Sequence, residues 1–95
     1  MAYYKEEDFK KHRYNMSYLS RMYQTINKHY PHIVVLKDLL ANRWQVKINS
    51  KDYYFVCNYD LGAFLVPIYV RALNEEYVEY MRRRYSRDRS PYYVR

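Results

Sequence analysis

A chain of 95 residues has room for one core and excludes a multidomain enzyme. With 49% apolar and 28% charged residues it reads as a globular, soluble protein, neither disordered nor membrane-embedded. A net charge of +7 points to acidic partners, and a single glycine, Gly62, excludes Gly-rich phosphate loops and dinucleotide fingerprints.

From Glu6 to His29 no proline or glycine intervenes, and Phe9, His12, Met16, Leu19, Tyr23, Ile26 and Tyr30 recur at helical spacing. Glu6, Glu7 and Asp8 would favour the positive end of that helix, and Pro31 would end it. Residues 31–41 fit either a short helix, with Ile33, Leu36 and Leu40 on one arc, or a strand through Ile33-Val34-Val35-Leu36. Pro31 as a first-turn residue favours the helix. Arg43 to Asn49 alternates as a half-buried strand, Asn49 to Asp52 has turn chemistry, and Tyr53 to Tyr59 forms the second strand of a hairpin. Gly62 then supplies a turn before a third strand, Ala63 to Val70, which is apolar on both faces and set at an edge or bulge by Pro67. Asn74-Glu75-Glu76 resembles a helix start, followed by Tyr77, Tyr80, Met81 and Tyr85 along one face.

The expected fold is therefore α+β: a long N-terminal helix, a short second helix, a three-stranded antiparallel meander, and a C-terminal helix with a basic tail. Residues 1–85 form one compact domain, and 86–95 a basic, mobile tail.

The charge is concentrated at the C-terminus. Residues 82–95 carry six arginines against Asp88, a net of +5, whereas residues 1–81 carry eleven basic and nine acidic side chains. Arginine pairs bidentately with phosphate and stacks on rings. Arg82, Arg83, Arg84, Arg87 and Arg89, interleaved with Tyr85, Tyr92 and Tyr93, therefore suit phosphate backbones and unstacked bases. The plainer reading of this run is a solvated segment that maintains solubility.

Fifteen tyrosines exceed what a small core takes, so some rings should be exposed, and Tyr53, Tyr54 and Tyr59 are the candidate binding patch. Ordinary core and cross-strand packing is the alternative for these three. No nucleophilic arrangement is recognisable, and the acidic Glu75, Glu76 and Glu79 read as helix-surface residues, so no catalytic residue is assigned. His29 and His32 lack the spacing of a metal site, Cys57 has no disulfide partner, and neither metal nor cofactor is expected. The acidic N-terminus is unlike a signal peptide and Leu61 to Val70 is too short to span a bilayer, so a cytoplasmic, intracellular protein without membrane contact is expected.

The run from Arg84 to Pro91 is similar to the Arg-Ser and Arg-Asp tails of eukaryotic splicing proteins, over eight residues. That resemblance implies phosphorylation at Ser86 or Ser90, which would weaken phosphate binding. The order of helix, three strands and helix also resembles that of double-stranded-RNA-binding domains, in order alone.

The leading expectation is a small non-catalytic protein that binds DNA or RNA through its C-terminal arginines. The rival is an interaction module, such as a small viral or mobile-element protein that docks on an acidic surface of a host enzyme or nucleoprotein complex and inhibits or redirects it. Self-association as a homodimer through the aromatic stripe of the first helix is a third.

Overall fold

The computed structural model describes residues 3–11 and 13–88, with side chains up to Arg84. A 3-10 turn at Glu6–Asp8 precedes α1 (Met16–His29), a meander of β1 (Ile33–Asp38), β2 (Arg43–Ile48) and β3 (Lys51–Phe55), and α2 (Asn58–Asp88). The α+β class and the three-stranded antiparallel sheet stand as expected, in the spatial order β1-β2-β3. Their placement along the chain differs from the expectation at five points.

The first helix begins at Met16, ten residues later than the acidic turn suggests. Asn15 caps it, its side-chain oxygen accepting from the Tyr18 amide at 2.8 Å. Leu19, Met22 and Ile26 are fully buried on its inner face, each contributing about 1.5–3 kcal/mol through apolar burial.

Residues 33–38 are a strand, not a helix. The β-branched run prevails over the helical arc: Leu36 and Leu40 of that arc are exposed, and Ile33 and Val35 pair with Ile48 and Val46 on the inner face. Pro31 sits in the turn that leads into the strand. The second hairpin turns tightly on Asn49 and Ser50, Asn49 taking a φ of 59°, the left-handed region that Asn tolerates.

Ala63 to Val70 is helix, not strand, and the chain has no strand beyond Phe55 among the described residues. Its two apolar faces were legible, but they cover two different partners. Leu61, Leu65, Val66 and Tyr69 are buried in the core, while Phe64 meets Phe55 and Tyr53 of β3 at ring separations of 4.9 and 5.6 Å. Pro67 is tolerated inside α2 because it and Ala63, whose carbonyl loses its helical partner, are both exposed to water.

Gly62 makes no turn. Its φ is negative, and a side chain there would overlap the ring of Tyr14, which packs directly on the α2 backbone. Asn74 likewise does not start a helix; it lies midway along α2. Its side chain accepts from the amides of Tyr3 and Tyr4 at 2.8 and 2.7 Å and donates to the Tyr4 carbonyl at 3.2 Å.

Those contacts explain the tyrosines. The described residues between Tyr3 and Tyr14 form a single 3-10 turn, so most of their backbone groups need other partners. Tyr18 donates its hydroxyl to the Phe9 carbonyl, and Tyr14 accepts from the Lys11 amide. A continuous chain of rings accompanies them: Tyr77, Tyr3, Tyr4, Phe9, Tyr69, Tyr18, Tyr14 and Tyr59, with successive centroids 4.0 to 6.5 Å apart. Most of the excess tyrosine glues an irregular segment onto two helices.

Candidate functional site

α2 has 31 residues, which at about 1.5 Å per residue makes a rod of about 46 Å. Among its described side chains the last buried one is Ala72, and Tyr77, stacked on Tyr3 at 4.0 Å, marks where the body ends. From Val78 to Arg84 every side chain except Met81 is exposed. The molecule is correspondingly elongated, 61 by 29 by 20 Å. The C-terminal turns of α2 are thus an arm.

Arg82, Arg83 and Arg84 all lie on this arm. Glu79 holds two of them loosely, with contacts of 3.5 Å to Arg82 and 3.4 Å to Arg83. At such exposure these pairs are worth little and exchange readily with other anions. Arg84 donates to the Tyr80 hydroxyl at 3.4 Å. Tyr85 and Arg87 lie on the last turns of α2, whereas Arg89, Tyr92 and Tyr93 fall outside the described residues.

The three candidate patch tyrosines do not form one surface. Tyr53 lies on the inner face, opposite Val46 and against Phe64. Tyr54 is on the outer face, with the Arg43 guanidinium 4.1 Å from its ring centre. Tyr59 belongs to the first turn of α2, 6.0 Å from Tyr14.

A feature that the sequence reading missed lies at the open end of the sheet. The β1–β2 loop exposes Leu39 and Leu40 at 81% and 100%. It is a built loop: Asp38 accepts from the Ala41 amide at 3.2 Å, pairs with Arg43 at 3.5 Å, and Asn42 takes a φ of 52°. Val56, 79% exposed, follows the end of β3. β1 is also an unpaired edge. Because His32 accepts from the Asn49 amide, alternation turns the backbone groups of Ile33, Val35 and Lys37 outward. Asn27 covers the Ile33 carbonyl at 2.9 Å, leaving Val35 and Lys37 at the edge.

No family model, curated protein or solved structure matches this chain.

The junction between α1 and α2 brings several titratable groups together. His29 meets Glu76 at 2.8 Å. The Tyr30 hydroxyl is buried, and that burial first, then the nearby Glu75 carboxylate, pushes its pKa up to about 12. Burial also raises Tyr18 and Tyr69. Among the described residues no group of His, Cys, Asp and Glu side chains could hold a metal ion, and no helix is long and apolar enough to cross a membrane.

Proposed function

We propose that this protein is a small non-catalytic nucleic-acid-binding module that engages phosphates through the C-terminal arm of α2. The observation that carries this reading is the exposure of Arg82, Arg83 and Arg84 on helical turns lying beyond the last buried residue of the core. A helical arm presents guanidinium groups with less backbone entropy to lose than a coil would. Arg87 extends the run by one turn, and Arg89, Tyr92 and Tyr93 follow it in the sequence.

The test compares the full chain with one ending at Met81, which keeps every core residue, by fluorescence anisotropy with labelled oligonucleotides. The full chain should bind with steep salt dependence, and the shortened chain should lose most of that slope. Equal binding and equal slopes would remove the arm from the site.

The exposed Leu39-Leu40 loop favours a second reading, a protein-interaction module. It predicts a stoichiometric protein partner, captured from nuclease-treated extract, that the Leu39→Ser/Leu40→Ser variant fails to retain.

A further inference from the structure

We infer that the arm of α2 enters the major groove of B-form duplex DNA, in preference to an RNA duplex or a single strand. This rests on the nucleic-acid reading above and specifies its partner. Consecutive residues of an α-helix are about 100° apart around the axis. Arg82, Arg83 and Arg84 therefore spread over about 200° of the circumference, so the three cannot all face a flat acidic surface. They can all face anions inside a groove. With Arg83 directed at its floor, Arg82 and Arg84 reach opposite walls, where the phosphates of the two strands lie.

The dimensions agree. From Val78 to Asp88 the arm has eleven residues, about 16 Å of helix. The major groove of B-DNA is about 12 Å wide and about 8.5 Å deep and accepts an α-helix. The corresponding groove of A-form RNA is too deep and narrow for side-chain readout, and a single strand has no opposing walls. Tyr80, 57% exposed, falls between Arg83 and Arg84 around the helix and would meet base edges or sugars near the floor. Glu79 also lies inside the arc. Its carboxylate is the one group of the wrong charge there, and it holds Arg82, which a wall phosphate must claim, and Arg83, which faces the floor.

The experiment uses the full chain with a labelled 20-base-pair DNA duplex, an RNA duplex of the same sequence, and one DNA strand, across a salt series. Duplex DNA should bind at least tenfold tighter than the other two. Replacing Arg82, Arg83 and Arg84 together by Gln, which preserves helix propensity, should lower the slope of log K against log salt by about 1.8, from about 0.9 for each of the two wall phosphate contacts. Glu79→Gln should tighten duplex DNA binding several-fold at low salt. Equal affinity for all three nucleic acids, or weaker binding by Glu79→Gln, would overturn groove entry and leave the broader function standing. Binding to none of the three would overturn both.

Discussion

Asn58 joins three parts of the molecule, and its removal should cost more stability than any other half-buried polar substitution. Its Oδ1 accepts from the indole N–H of Trp44 at 2.9 Å, and its Nδ2 donates to the Tyr14 carbonyl at 3.0 Å. Trp44 and Tyr14 are 1% and 2% exposed, so water cannot readily replace the lost partner. A buried polar group left unsatisfied costs about 1–3 kcal/mol. Asn58→Ala orphans an N–H and a carbonyl together, for a loss of about 2–4 kcal/mol. For a domain of this size that lowers Tm by about 10–20 °C. Asn58→Asp keeps the acceptor for Trp44 but sets a carboxylate oxygen against the Tyr14 carbonyl, two acceptors face to face, so it should lose at least as much. Urea unfolding followed by the fluorescence of Trp44, the sole tryptophan, measures each variant. A double-mutant cycle with Trp44→Phe, followed by circular dichroism, isolates the hydrogen bond and should give a coupling of about 1 kcal/mol or more. A loss below about 0.5 kcal/mol for Asn58→Ala, or strict additivity in the cycle, would refute the account. Asn58 stands at the opposite end of α2 from the arginines, so the folded fraction should bind DNA as tightly as the unsubstituted chain.

Three further outcomes are expected. Gly62→Ala should destabilise the protein by about 1–3 kcal/mol in thermal unfolding, although helix propensity alone favours Ala by about 1 kcal/mol, because the new Cβ displaces the Tyr14 ring; a rise in Tm would show that the ring does not rest there. Tyr30 holds its proton more tightly folded than unfolded, so its share of stability is present below pH 10 and lost as pH rises from 10 through about 12. Tyr18 and Tyr69 act in the same direction, and Tyr30→Phe should flatten, without abolishing, the alkaline loss seen in urea midpoints. Leu39→Ser/Leu40→Ser should leave Tm within about 2–4 °C of the unsubstituted protein, since neither leucine is buried; a larger fall would mean that the loop packs in solution.

The fold was legible where one period dominated. Trp44, Val46 and their polar neighbours alternate over a full strand, and Leu19 to Ile26 repeats as a helix, so β2 and most of α1 could be placed from the chain alone. The failures share a physical origin: side chains of one segment serving another. Asn74 reads as a helix cap because it is a good one, but its amide is used to pair with the backbone at Tyr3 and Tyr4. Phe9 continues the stripe of α1 in sequence, yet its carbonyl is bound by Tyr18 and its ring by Tyr69, which draws the segment out of the helix. Ala63 to Val70 lacks a polar face because α2 is packed against the core on one side and β3 on the other, and that burial removes the amphipathic signature of a helix.

The candidate site was legible in part, for a related reason. Arginines are recognisable from composition, but their value depends on whether the body covers them, and only the long continuous α2 places them past its last buried residue. The tyrosines show the converse. Their number suggested that some rings would be exposed, and Tyr3, Tyr53, Tyr54, Tyr59 and Tyr80 are, but scattered, while seven tyrosines form one ring chain with Phe9 that secures the N-terminal segment. These two outcomes bear on each other: Tyr3 on Tyr77 is the final link of that chain and the last clamp on α2 before the arm begins. The aromatic excess therefore anchors the base of the helix, and that hold fixes where the arm of three successive arginines leaves the body.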